Sequence, residues 1–121
     1  MSISESEALI MHALWENSPL TATELLETVG AQQAWQESTV KSLLSRLVHK
    51  RAVRTKKDGR RFLYYPVLAR TDYLHSESKS LVDRLFGGRI TPFVAHFSEK
   101  NKLSKRDLAE LRKLLRELDD D

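Results

Sequence analysis

Apolar residues along this chain fall into stripes with helical spacing, interrupted once by a stretch rich in β-prone and turn-forming residues. Ile10, Met11, Leu14 and Trp15 share one helical face, and Ser4 with Glu7 three residues later has the form of a capping box that opens it. This helix is predicted to end near residues 17–19. Thr21 and Glu24 repeat the start signal ahead of Leu25, Leu26 and Val29, with Gly30 expected as a left-handed C-terminal cap. Val40, Leu43, Leu44, Leu47 and Val48 then recur at i, i+3, i+4, i+7 and i+8, the pattern of a helix half buried against a core. Two β-prone runs follow at residues 52–56 and 61–67, and the Lys57-Asp58-Gly59-Arg60 between them predicts a hairpin that turns on Asp58-Gly59. Phe62 and Tyr64 share one strand face and are expected to pack beneath that hairpin.

Beyond Pro66 the spacing is helical again. Leu74, Leu81, Val82, Leu85 and Phe86 form a stripe that stops at Gly87-Gly88. Thr91 as N-cap before Pro92 predicts a fifth helix of barely two turns carrying Phe93, Val94 and Phe97. Ser104 with Asp107 starts the last helix, where Leu108, Leu111, Leu115 and Leu118 keep the spacing of a coiled-coil seam. The element order predicts a mainly α chain with a small β-hairpin: a winged helix-turn-helix domain over residues 1–70, followed by a helical dimerisation region over residues 71–121. No repeat, low-complexity tract or Gly/Ser linker separates the two.

Charge singles out one segment. The first Lys or Arg is Lys41, yet nine of the twenty lie in residues 41–61, against one acid, Asp58, while residues 1–40 hold six Glu and no base. Such a patch repels itself unless a polyanion compensates it, and a phosphate backbone that releases counterions on binding is the usual compensation. The polar face of the third helix displays Ser38, Thr39, Lys41, Ser42, Ser45, Arg46 and His49. Short hydroxyls let a helix approach a major groove closely, Arg46 can meet a guanine edge or a phosphate, and Lys41 can meet a phosphate. Lys56, Lys57, Arg60 and Arg61 at the hairpin end can straddle a sugar-phosphate strand or enter a minor groove.

Blander readings stand beside these. A polar helix face is commonly just solvated, basic residues on a hairpin also prevent edge-to-edge pairing, and the leucine seam can fold back on its own subunit. The favoured expectation is a homodimeric, sequence-specific transcriptional repressor on a palindromic double-stranded operator. Its recognition helices would lie about one helical turn, ~34 Å, apart, joined through Leu81, Leu85, Phe93, Phe97, Leu108, Leu111, Leu115 and Leu118. A winged-helix adaptor for an acidic protein and a nonspecific DNA-coating protein are the alternatives. Catalysis finds no support. His12, His49, His75 and His96 lack metal-ligand spacing, no Cys is present, and the four Gly are accounted for by caps and a turn, so no enzyme, cofactor or metal is expected. No apolar run approaches the ~20 residues of a membrane span, and the acidic N-terminus has no basic leader, which predicts a cytoplasmic chain without membrane insertion.

Residues 4–15 (SESEALIMHALW), 38–50 (STVKSLLSRLVHK), 59–66 (GRRFLYYP) and 85–88 (LFGG) resemble the penicillinase-repressor family of winged-helix regulators, of BlaI/MecI type. The resemblance implies a homodimeric repressor covering promoters of resistance genes, with Thr39, Lys41, Ser42 and Arg46 facing operator DNA. In antibiotic-responsive members it further implies a membrane sensor that triggers proteolysis at an Asn-Phe bond. The matching bond here is His96-Phe97, with His in place of Asn. Copper-responsive relatives use C-terminal cysteines, which this chain lacks.

Overall fold

The computed structural model describes residues 2–99 and 103–120, with only the backbone considered at residue 99. Ser4 caps α1 (Glu5–Glu16): its hydroxyl accepts from the Glu7 amide at 3.1 Å, and its own amide donates to the Glu7 carboxylate at 2.8 Å. Thr21 and Glu24 form the same reciprocal pair, at 3.1 and 3.0 Å, at the start of α2 (Ala22–Leu25).

The stop expected at Gly30 is not there. α2 runs through a π-helical turn (Leu26–Gly30) into α3 (Ala31–Gln33), and Gly30 is right-handed at φ −58°. Ala34 takes the left-handed cap at φ 56°, where its N–H donates to the Ala31 carbonyl at 3.4 Å and that of Trp35 to the Gly30 carbonyl at 2.8 Å. Gly30 serves space instead: a Cβ there would stand 3.0 Å from Leu26 Cδ1.

α4 (Glu37–His49) buries Val40, Leu43, Leu44 and Leu47, whereas Val48, expected on the same face, sits at its exposed edge. It ends in a second non-glycine cap. Arg51, at φ 64°, donates to Val48, and the next amide, Ala52, donates to Leu47, both at 3.0 Å.

β1 (Val53–Asp58) and β2 (Arg61–Pro66) pair antiparallel with Asp58 opposite Arg61. The turn is therefore Gly59-Arg60 rather than Asp58-Gly59. Gly59, at φ 65°, occupies the first turn position, where a two-residue hairpin readily accepts glycine. Leu20 adds an isolated antiparallel bridge, its N–H donating to the Tyr64 carbonyl at 3.2 Å and its carbonyl accepting from the Tyr64 N–H at 2.8 Å.

These elements close around one cluster: Ile10, Met11 and Leu14 of α1, Leu25 of α2, Val40, Leu43, Leu44 and Leu47 of α4, and Ala52 and Val53 entering β1. Each fully buried Leu or Ile contributes about 1.5–3 kcal/mol. Trp15, Trp35, Tyr64 and Leu68 pack on the rim, and the Trp15 indole donates to the Leu68 carbonyl at 2.8 Å.

The chain divides into two compact units, Met1–Tyr73 and Leu74–Asp121. α5 (Arg70–Phe86) begins in the first and ends in the second, at Gly87 (φ 58°) and Gly88 (φ 80°). α6 (Ile90–Glu99) starts at Ile90, so Thr91 lies inside its first turn instead of capping it, and its ten residues exceed the two turns expected. Ser104 caps α7 (Lys105–Asp119), its hydroxyl accepting from the Asp107 amide at 3.0 Å.

Candidate nucleic-acid interface

α4 is oriented by its apolar side, of which the core buries Val40, Leu43, Leu44 and Leu47. That leaves Ser38, Thr39, Lys41, Ser42, Ser45, Arg46 and His49 exposed together. Ser38, Thr39, Ser42 and Arg46 border a shallow depression over Leu43. At the hairpin end, Lys56, Lys57, Arg60 and Arg61 are all exposed. Both groups belong to the first unit, and the hairpin packs on α4 through β1.

The cations differ in what already holds them. Lys41 Nζ lies 2.9 Å from the Glu37 carboxylate one turn earlier, and that hydrogen bond, with the charge behind it, raises the Lys41 pKa and lowers that of Glu37. Arg61 pairs with Asp58 at 3.1 Å, and its charge helps hold Glu24 low, after the hydrogen bonds that Glu24 receives from the backbone and hydroxyl of Thr21. These exposed pairs are worth little in water and can be exchanged for a phosphate. Arg46, Lys56, Lys57 and Arg60 have no ion pair among the described residues.

Lys50, one of the nine bases, does not belong to the patch. It donates to the Glu7 carboxylate and to the Ser2 carbonyl, both at 2.7 Å. Glu7 is 1% exposed, and its Oε2 has no hydrogen-bond partner among the described residues. Burial alone would push the Glu7 carboxyl up, but the hydrogen bonds from Lys50 and Ser4 and the charge of Lys50 outweigh it and hold the pKa below the ordinary value. The Ser4–Glu7 half of this joint is a local motif. The Lys50 half joins residues 43 apart and leaves no local signal.

Phe62, expected beneath the hairpin, is instead 49% exposed, while Tyr64 on the same face reaches the core. The missed aromatic contact lies on the opposite face, where the Arg54 guanidinium sits 4.2 Å above the Tyr65 ring.

Of the residues expected to join two subunits, Leu81, Phe93 and Leu111 are half-buried, and Leu85, Phe97, Leu108, Leu115 and Leu118 are exposed. Phe86, Phe93, His96 and Phe97 form a ring cluster with centroids 5.3 to 6.3 Å apart. The His96-Phe97 bond is thus internal to α6 and flanked by packed rings. Among the described residues no helix is long and apolar enough to cross a membrane, and no cluster of His, Asp or Glu is arranged to hold a metal ion.

Comparison with known proteins places this geometry. The family model described as penicillinase repressor matches residues 3–117. The chain is 30% identical over 115 residues to the penicillinase repressor of Bacillus licheniformis, covering 95% of this chain and 90% of that protein. It is 30% identical over 113 residues to the methicillin resistance regulatory protein MecI of Staphylococcus aureus strain N315, covering 93% and 92%. Among solved structures, the DNA-binding domain of the repressor BlaI aligns with a TM-score of 0.56 and 30% identity, over 60% of this chain and 88% of that one. The monomeric form of Bacillus licheniformis BlaI in complex with the blaP half-operator aligns with a TM-score of 0.54 and 30% identity, over 60% and 89%. YusO of Bacillus subtilis, at 14% identity and a TM-score of 0.54, shares the fold alone. The expected fold class, mainly helical with a winged helix-turn-helix domain, is what these structures share.

Proposed function

The chain belongs to the penicillinase repressor family, and we propose that within it the chain acts as a homodimer on a palindromic operator, controlling resistance or stress genes. DNA-binding transcriptional repression is the coarser activity that family membership carries, and it is not an enzymatic one. One observation supports the finer reading above all: the hydroxyl-bearing side of α4 and the basic end of the hairpin are both exposed in one unit, in which the hairpin packs on α4 through β1. Ser42 and Arg46 are proposed to read base edges in the major groove, Ser38, Thr39, Ser45 and Lys41 to fix the helix on the strand, and Lys56, Lys57, Arg60 and Arg61 to engage the neighbouring backbone. The exposed leucines of the second unit are proposed to meet their two-fold copies, as a palindromic site requires.

The test is to select bound fragments from the parent genome and titrate the best one by fluorescence anisotropy at several salt concentrations. A palindrome should emerge, affinity should fall steeply with salt, and the complex should survive an excess of unrelated DNA. Loss of the complex to bulk competitor would make the protein a nonspecific coat, and salt-indifferent binding would end the reading.

A further inference from the structure

Phe62 is exposed where its strand position points toward the helices. Side chains alternate along a strand, so Phe62 shares a face with Tyr64, which packs on the core. One step toward the hairpin end that face has run past the core, and the Phe62 ring stands 49% exposed. Lys57 is its cross-strand partner on the same face, and Lys56, Arg60 and Arg61 surround the end of the hairpin. The ring therefore stands on the core-facing side of the hairpin, beyond the end of the core.

We propose that Phe62 is a DNA contact whose ring packs against a deoxyribose of the strand running between the groove read by α4 and the groove entered by the hairpin, with Lys57 on the adjoining phosphate. This rests on the operator-binding reading above and adds an apolar contact that a charge map does not contain. Duplex DNA is the occupant because of what surrounds the ring. A sugar-phosphate strand offers apolar sugar faces between anions, which matches an aromatic ring beside Lys57 at a basic hairpin end, whereas an apolar protein surface would leave Lys57 desolvated and unpaired. The sugar carries no base identity, so the contact adds affinity without choosing sequence.

The experiment measures binding of the full chain, F62A, F62L and K57A to the selected operator and to an unrelated duplex, at several salt concentrations and at a temperature where circular dichroism shows each variant folded. F62A should weaken both duplexes by a similar factor, on the order of tenfold, with the salt slope unchanged. F62L should keep most of the affinity, and K57A should lower the slope by about one. If F62A fails to fold, the F62L and K57A arms still decide, because an F62L loss as large as tenfold or a K57A slope equal to wild type overturns the proposal. F62A binding as tightly as wild type overturns it while leaving the operator reading intact. A discrimination loss at the operator alone, or a changed bend in the DNA, would mean base contact or a wedge and overturns the sugar assignment. Absence of wild-type binding to either duplex removes the operator reading and this inference with it.

Discussion

In the first unit Ile10, Leu14, Leu25 and Leu47 are wholly withdrawn from solvent, whereas in the second Leu85, Leu115 and Leu118 are 61%, 59% and 60% exposed. Both sets come from stripes with helical spacing, and α7 has the sharper division between its faces. The difference lies in what each chain segment can bring to meet its stripe. α1, α2, α4 and β1 approach one another from four sides and share a cluster. The second unit has α6, α7 and most of α5, and Val82 is the buried hydrophobic among its described residues. Periodicity states that a face wants cover. It does not state whose surface supplies it, and an isolated chain that leaves this many leucines wet is what one half of a symmetric assembly looks like.

The sharpest way to break that contrast is to charge the seam. Leu111→Glu with Leu115→Glu should convert a dimer to monomers in sedimentation velocity and reduce operator affinity by roughly two to four orders of magnitude, since bivalency is lost. The far-ultraviolet spectrum and unfolding midpoint of the first unit should stay put, and an unchanged mass would sink the assigned role of these leucines. Leu44→Ala probes the other side of the comparison. It removes packing at a fully enclosed position and should lower the unfolding free energy by about 2–5 kcal/mol in urea titrations, while the charged seam variant should not.

A third test uses pH. The Glu7 carboxyl is held below its ordinary pKa in the fold, so its stabilising contribution is fully present above the unfolded value of about 4.3 and is lost as pH falls through the lower folded value. Urea midpoints of the first unit should therefore drop below about pH 4.3, and the drop should be smaller in Glu7→Gln, which is already destabilised at neutral pH. An identical acid limb in both proteins would refute the role of this carboxylate. The smallest effect should come from Ala34→Gly. Relief of a left-handed alanine should raise stability by about 0.5–1 kcal/mol, net of the greater freedom glycine has when unfolded. A loss of stability would show that the methyl group is itself packed to advantage.

The parts legible in the sequence were those governed by neighbours along the chain. Both capping boxes, the buried stripe of α4, the glycine stop after α5 and the Ser104 cap were all written in short spacings. What escaped was set by tertiary contact. Gly30 has the residue type of a cap but is needed beside Leu26, and the true caps, Ala34 and Arg51, carry side chains that a glycine search passes over. The hairpin register moved by one residue because Asp58 pairs with Arg61, and only the partner strand shows that. The exposed hydroxyls and cations proposed as the interface were readable as a face. That Lys50 leaves the patch for Glu7, and that Phe62 stands exposed beside it, depended on contacts across the fold.

The paired backbone bonds between Leu20 and Tyr64 bear on how such a regulator is switched. They fasten the base of the prong to the segment ahead of α2, so the prong and α4 are mounted together in one reading head. In the proposed dimer, a signal that frees the promoter would then work by parting two intact heads rather than by warping one. Each released head should still recognise its half of the operator and simply fail to stay on it.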